Sequence, residues 1–147
     1  MAVVRVYLPL GRPDLEELAS SGSLPAGPGT PISAYAVTSA LRSSAPGLEV
    51  EDLEYAAFSD AVAASGAVRS SPLHRRVVAA ADADPAWVVQ GDAGPASSVV
   101  LVAPLPLSRV ASFHVDDESA VGVAEEEADE LLWYDVTELD DVRSFLA

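Results

Sequence analysis

The segment Ser108-Arg-Val-Ala-Ser-Phe-His-Val-Asp-Asp117 runs a strand-like alternation of apolar and polar residues into a histidine and a carboxylate pair. Successive side chains of a strand point to opposite faces. Ala111, Phe113 and Val115 therefore share one face, and Val110, Ser112, His114 and Asp116 share the other. The first set is expected to enter the core, and the second to form a mostly polar surface. A strand divided in this way belongs in the middle of a fold whose sheet has two unlike faces.

Upstream, Ser98 to Val102 is a continuous apolar run, the pattern of a strand covered on both sides, and Pro104 and Pro106 end it. Trp87 to Val89 is expected to add a short edge strand, followed by a Gly91–Pro95 loop. Arg75 to Ala81 is strand-like, with a turn over Asp82 to Pro85. Downstream, Asp116 or Asp117 stands where a helix from about Glu118 to Ala128 needs its N-cap. A last strand is expected over Glu130 to Asp135. A closing helix carries Leu139, Val142 and Leu146 with Phe145 beside them, and Thr137 with Asp140 resembles a capping box at its start.

The N-terminal part repeats the alphabet of strand and helix. Val4, Val6 and Leu8 alternate with Val3, Arg5 and Tyr7. Pro13, the acidic Asp14, Glu16 and Glu17, and the stripe Leu15, Leu18 and Ala19 predict a short helix that Gly22 stops. Ser23 to Pro31 is expected to be a surface loop. Ile32 to Val37 alternates again, and Thr38 or Ser39 would cap a brief helix that ends before Pro46. The clearest helix spans Glu51 to Ser65, with Leu53, Ala57 and Ala61 in one row and Tyr55, Phe58 and Val62 beside it.

Strands alternating with helices predict an α/β domain bordering on α+β. We expect a single globular domain over residues 1–147, built as a two-layer sandwich. Its mixed sheet would carry helices mainly on one face, leaving Arg5, Tyr7, Tyr35, His114 and Tyr134 on the other. The likeness of Val3–Leu10 to Val99–Leu107 further suggests an internal duplication of two βαβαβ halves.

Composition narrows the function. The 147 residues are half apolar, lack cysteine and carry a formal charge of −15, and every one of the eight basic residues is arginine. Disulfides, thiolate nucleophiles and cysteine-ligated metal sites are excluded. So negative a field disfavours nucleic acid and anionic membranes, and no apolar run reaches the length of a spanning helix. With no signal-peptide pattern at the start, a cytoplasmic location is expected.

His114 and Asp116 lie at i and i+2, with Asp117 next. They are compatible with a metal site, with an imidazole charged and oriented by a carboxylate, or with a half-buried strand histidine beside a helix cap. Two residues without a third ligand name no metal, and no cofactor is implied. His74-Arg75-Arg76 is the one basic cluster and is expected to clasp the acidic C-terminal half. The run Glu125-Glu-Glu-Ala-Asp-Glu130 points around a helix and reads as a solvated face. Phosphate-binding glycine loops and the nucleophile-elbow pattern are absent.

Taken jointly, Arg5–Leu10, Ala34–Thr38, Leu53–Ala57, Arg76–Asp82, His114–Asp117 and Glu130–Tyr134 form a fairly specific pattern, and the resemblance they carry extends over nearly the whole chain. In these segments the sequence resembles an uncharacterised family of small acidic actinobacterial proteins. The resemblance implies a bacterial cytoplasmic protein and carries over no functional residue. Two functions of different class follow from the residues themselves. The first is a non-enzymatic module that binds a protein partner or itself, suggested by the carboxylates crowded after Asp116, where Arg143 is the sole basic residue. The alternative is a small-ligand or metal-binding enzyme centred on His114 and Asp116, with Arg5, Tyr7 and Tyr134 assisting. An enzyme needs those groups in one pocket; an interaction module needs a flat or apolar patch.

Overall fold

The N-terminal alternation becomes the centre of the sheet. The computed structural model describes residues 3–68, 74–91, 94–117 and 131–146. In chain order it forms β1 (Val4–Leu10), α1 (Arg12–Ser21), β2 (Ser23–Leu24), β3 (Ile32–Ala36), α2 (Ser39–Ser44) and α3 (Val50–Val68). There follow β4 (Val77–Ala83), β5 (Val88–Gln90), β6 (Ser98–Leu101), β7 (Leu105–Pro106), β8 (Val110–Val115), β9 (Leu132–Asp135) and α4 (Leu139–Ser144). Among the described residues, seven strands make one sheet in the order β5-β6-β3-β1-β4-β8-β9, and β2 pairs with β7 in a small second sheet.

Each ladder of the large sheet is antiparallel. The α/β class holds, on the α+β side of the border, but the sheet is not mixed. Alternation shows where a side chain points and leaves open which strand lies beside which. The layering differs too. Val6, Leu8 and Leu10 of β1 pack with Leu15 and Leu18 of α1 and with Phe113, Val142 and Leu146. The opposite face packs against Leu53, Ala57, Ala61 and Val62 of α3. Helices thus cover parts of both faces, because the connection from β3 to β4 must cross β1, and α3 lies along that crossing.

The strand pairing also removes the duplication. β1 pairs with β3 and β4, whereas its supposed counterpart β6 pairs with β3 and β5. β8, which would answer to β3, lies on the far side of β4. Valine-rich strands that end in proline look alike for reasons of local chemistry, and that likeness does not extend to their neighbours.

Local chemistry sets the element ends. The Gly11 N–H donates to the Asp14 carboxylate at 2.8 Å, and Gly22, at φ 76°, closes α1 by donating to the Leu18 carbonyl. Gly11 is required by contact as well, since a Cβ there would lie 2.5 Å from the Val68 carbonyl oxygen at the end of α3. The residues read as a loop after Ser23 and the proline-broken stretch at Leu105 instead supply β2 and β7. Before α4 the cap falls earlier than expected: the Asp135 carboxylate accepts from the Thr137 N–H at 3.0 Å, and Glu138 accepts from the Asp135 N–H at 3.1 Å. The predicted helix over Glu118–Ala128 and the run Glu125–Glu130 lie outside the described residues. No described helix is long and apolar enough to cross a membrane.

β8 departs from strict alternation. Ala80 faces Ser112 and Ala81 faces Val110, so Ala111 is bulged out of the ladder. Val110 consequently joins Phe113 and Val115 in the core, not the polar face expected for it. Beyond the last ladder pair, Asp116 is only 3% exposed and Arg76 only 5%. The Arg76 guanidinium donates to both Asp116 carboxylate oxygens at 2.9 Å, and the Arg76 backbone N–H donates to one of them at 2.7 Å. The expected clasp between the basic cluster and the acidic half takes this form, and it commits Asp116 to structure.

Removing one partner of a buried, hydrogen-bonded pair leaves the other charge and its donors without compensation. We expect Asp116→Ala to cost about 3–5 kcal/mol in urea unfolding. Arg76→Met combined with Asp116→Leu should recover part of that loss, since the Arg76 backbone N–H lacks its acceptor in both variants. A double variant no more stable than the single one would show that the residues matter for something other than their pairing.

Candidate functional site

Four neighbouring strands and α3 build one cavity. On β1, Arg5 and Tyr7 point toward α3; on β4, Asp82 stands opposite Arg5 and Ala80 opposite Tyr7. Ser112 of β8 stands opposite Ala80, and His114 is paired with Val78 on one side and Trp133 of β9 on the other. α3 contributes Glu51, Glu54, Tyr55 and Phe58, whose spacing of three, four and seven residues places them on one helical face. The cavity they line measures about 390 Å³, with Leu131 also at its wall. Ala80 between Tyr7 and Ser112 leaves the room: its side chain is a single methyl group where its neighbours across the sheet carry longer ones.

Phe58 organises the interior. Its ring meets Tyr7 edge-on at 5.7 Å between centroids and His114 edge-on at 4.9 Å. Such edge contacts between rings are favourable and directional. Arg5 is fixed by Asp82, with Nε donating to a carboxylate oxygen at 2.8 Å and the second contact at 3.4 Å. Ser112 Oγ and His114 Nε2 are hydrogen-bonded at 3.1 Å.

The electrostatics follow from this packing. Burial lowers the His114 pKa below its ordinary 6.5, and the nearby Arg5 charge lowers it further, so the imidazole is neutral at pH 7. Burial raises the Tyr7 phenol, with the Glu54 carboxylate adding to the effect, and the hydroxyl stays protonated as a donor. A serine bonded to a neutral imidazole resembles half of a nucleophile–base pair, but among the described residues no carboxylate bonds to His114 to orient it. Asp116, the sequence candidate for that role, is held by Arg76. Nor do three His, Asp or Glu side chains among the described residues converge as metal ligands do.

Of the five side chains singled out in the sequence, Arg5, Tyr7 and His114 line this cavity. Asp116 lies in the buried ion pair. Tyr134, opposite Phe113 in the ladder, faces the other side of the sheet and meets Phe145 edge-on at 5.4 Å. The sequence comparison assigns the chain as a whole. The chain belongs to DUF6912, a family of unknown function. The match runs over residues 4–142 and so contains every strand of the cavity wall. No curated protein and no solved structure matches the chain. Membership in DUF6912 therefore brings no ligand or reaction with it, and the chemistry of the site rests on its own residues.

Several lining residues escaped the reading of the sequence. Glu51, Glu54, Tyr55 and Phe58 sit at helical spacing, a signal available in the sequence but absorbed into an apolar stripe. Trp133 takes the place expected for Tyr134, because the β8–β9 register, which sequence does not display, decides which of two adjacent aromatics faces His114.

The His114 shift has a measurable consequence. Between its lowered folded value and 6.5, the unfolded chain binds more protons at His114 than the folded one, so stability rises with pH across that window and falls on acidification. NMR titration of the imidazole should give a midpoint below 6.5. Arg5→Met should move it upward without restoring the ordinary value, since burial is the larger cause. A midpoint unmoved in that variant would show that the Arg5 charge does not reach the ring.

Proposed function

We propose that this protein binds a small organic molecule in the cavity between α3 and the sheet, with Arg5, Tyr7 and His114 among its contacts. The convergence of these three side chains, from strands that β4 separates, on one space of about 390 Å³ supports the reading. That volume falls among those of small-molecule sites, and aromatic walls with a few placed polar groups are their usual lining. The donor set favours an organic ligand over a metal ion, because among the described residues no carboxylate pair converges with His114. Binding, as opposed to catalysis, fits a serine–histidine pair to which no acid bonds among the described residues.

The test is native mass spectrometry of protein purified without chelator, followed by NMR screening of small-molecule mixtures against the labelled chain. A ligand should shift amides of β1, β4, β8 and α3 together. Ala80→Leu, which fills the cavity floor, should abolish those shifts while the circular dichroism spectrum stays native. Shifts that scatter over other elements, or that persist in Ala80→Leu, would overturn the reading.

An interaction role finds support in a different place. Among the described residues β9 ends the sheet, and its Leu132 and Trp133 are 40% and 61% exposed. A strand edge with exposed apolar side chains is a template for pairing with another chain. On this reading β9 of a second copy or of a partner protein adds to the sheet. Sedimentation equilibrium should then detect a dimer that Trp133→Glu dissociates, and a monomer at all concentrations would remove self-association.

A further inference from the structure

The charge and the aromatic lining of the cavity select among ligands. Among the described residues Arg5 is the sole cation on its wall, and Asp82 already holds that guanidinium in a two-point contact. Glu51 and Glu54 add two further carboxylates. The site thus sets three carboxylates against one guanidinium, while His114 contributes no charge at pH 7. An anionic ligand would meet a guanidinium whose charge Asp82 already compensates, and would lie against two glutamates.

Beside these charges the wall carries four aromatic rings, with Ala80, Ser112 and Leu131 between them. Tyr7, Tyr55, Phe58 and Trp133 all line the cavity, with Tyr55 and Trp133 exposed at its mouth. The face of an aromatic ring carries negative potential and attracts ammonium groups, most strongly when they are partly desolvated. Carboxylates beside such faces strengthen the preference, and they cannot satisfy a carboxylate or phosphate ligand. The formal charge of −15 on the whole chain adds a long-range attraction of the same sign.

Resting on the small-molecule reading above, we propose that the occupant of this cavity is an organic cation, an amine or quaternary ammonium group attached to an apolar body. Glu54 and Glu51 take the charge, and Tyr7, Phe58 and Trp133 enclose the apolar part. A bare metal ion does not fit this description, because it would leave the aromatic lining unused and no convergent ligand set occurs among the described residues.

Three probes of similar shape separate the claims: 4-tert-butylbenzylammonium, 4-tert-butylbenzyl alcohol and 4-tert-butylbenzoate, which carry positive, zero and negative charge. Each is titrated into the labelled full chain and followed by amide shifts at β1, β4 and β8. The cation should bind about tenfold or more tightly than the alcohol, as expected for a partly desolvated ammonium among aromatic faces, and the anion should not bind. Glu54→Gln should remove most of the cation's advantage and leave the alcohol unchanged. Glu51→Gln, at an exposed position, provides the same test should Glu54→Gln fail to fold. If the alcohol or the anion binds as tightly as the cation, and Ala80→Leu abolishes that binding, the cation assignment falls and the cavity remains a ligand site. If none of the three shifts the cavity amides, the cation assignment falls, and the small-molecule reading then rests on its own screen.

Discussion

Alternation along β1 is the constraint on which both halves of the molecule depend. Val6, Leu8 and Leu10 are sealed against α1 and the C-terminal helix, while Arg5 and Tyr7 emerge on the side of α3. A single-residue slip of this strand would exchange the two sets, burying a guanidinium in the apolar core and exposing leucines to the cavity. The antiparallel partners on both sides hold it in register, and β4 does so along its whole length. Core and candidate site are therefore two faces of the same ladder.

β4 serves this division through size. Ala79, Ala80 and Ala81 are all buried, and their short side chains let bulky residues on the adjoining strands fill the space on one face and leave a cavity on the other. On the core face, Phe113 beside Ala79 occupies the room. On the α3 face, Ala80 lies between Tyr7 and Ser112, and there the room is left open. The buried Arg76–Asp116 pair extends the β4–β8 ladder past its last apolar residue. Its desolvation is costly, and the hydrogen bonds it makes to backbone as well as side chain are what offset that cost.

What the sequence displayed was periodicity. Leu53, Ala57 and Ala61 on α3, Val6 and Leu8 on β1, and Phe113 and Val115 on β8 all lie where their spacing predicted, because burial of an apolar stripe is a local demand. Arg5, Tyr7 and His114 were recognisable as polar or aromatic residues on otherwise apolar strands. Three features were not legible, each for a physical reason. The bulge at Ala111 depends on the partner strand, so Val110 was assigned to the wrong face. Asp116 was read with its sequence neighbour His114, whereas its partner Arg76 lies 40 residues away. Tyr134 and Trp133 exchange roles with a one-residue change of register. Long-range pairing and strand order decide all three, and a single sequence records neither.

The central position of β1 has a consequence for how the chain reaches this state. Arg5 and Asp82 are separated by 77 positions, and the whole of α1, β3, α2 and α3 lies between them. Until β4 arrives, β1 has one edge without its partner and a hydrophobic face without its full cover. Closing so long a loop costs entropy before any pairing repays it, which makes topologies of this kind slow to form. The side chains that line the cavity come together only when that closure is complete. Completion of the cavity is therefore a late event in folding, and the cavity exists only in molecules whose central ladder has zipped.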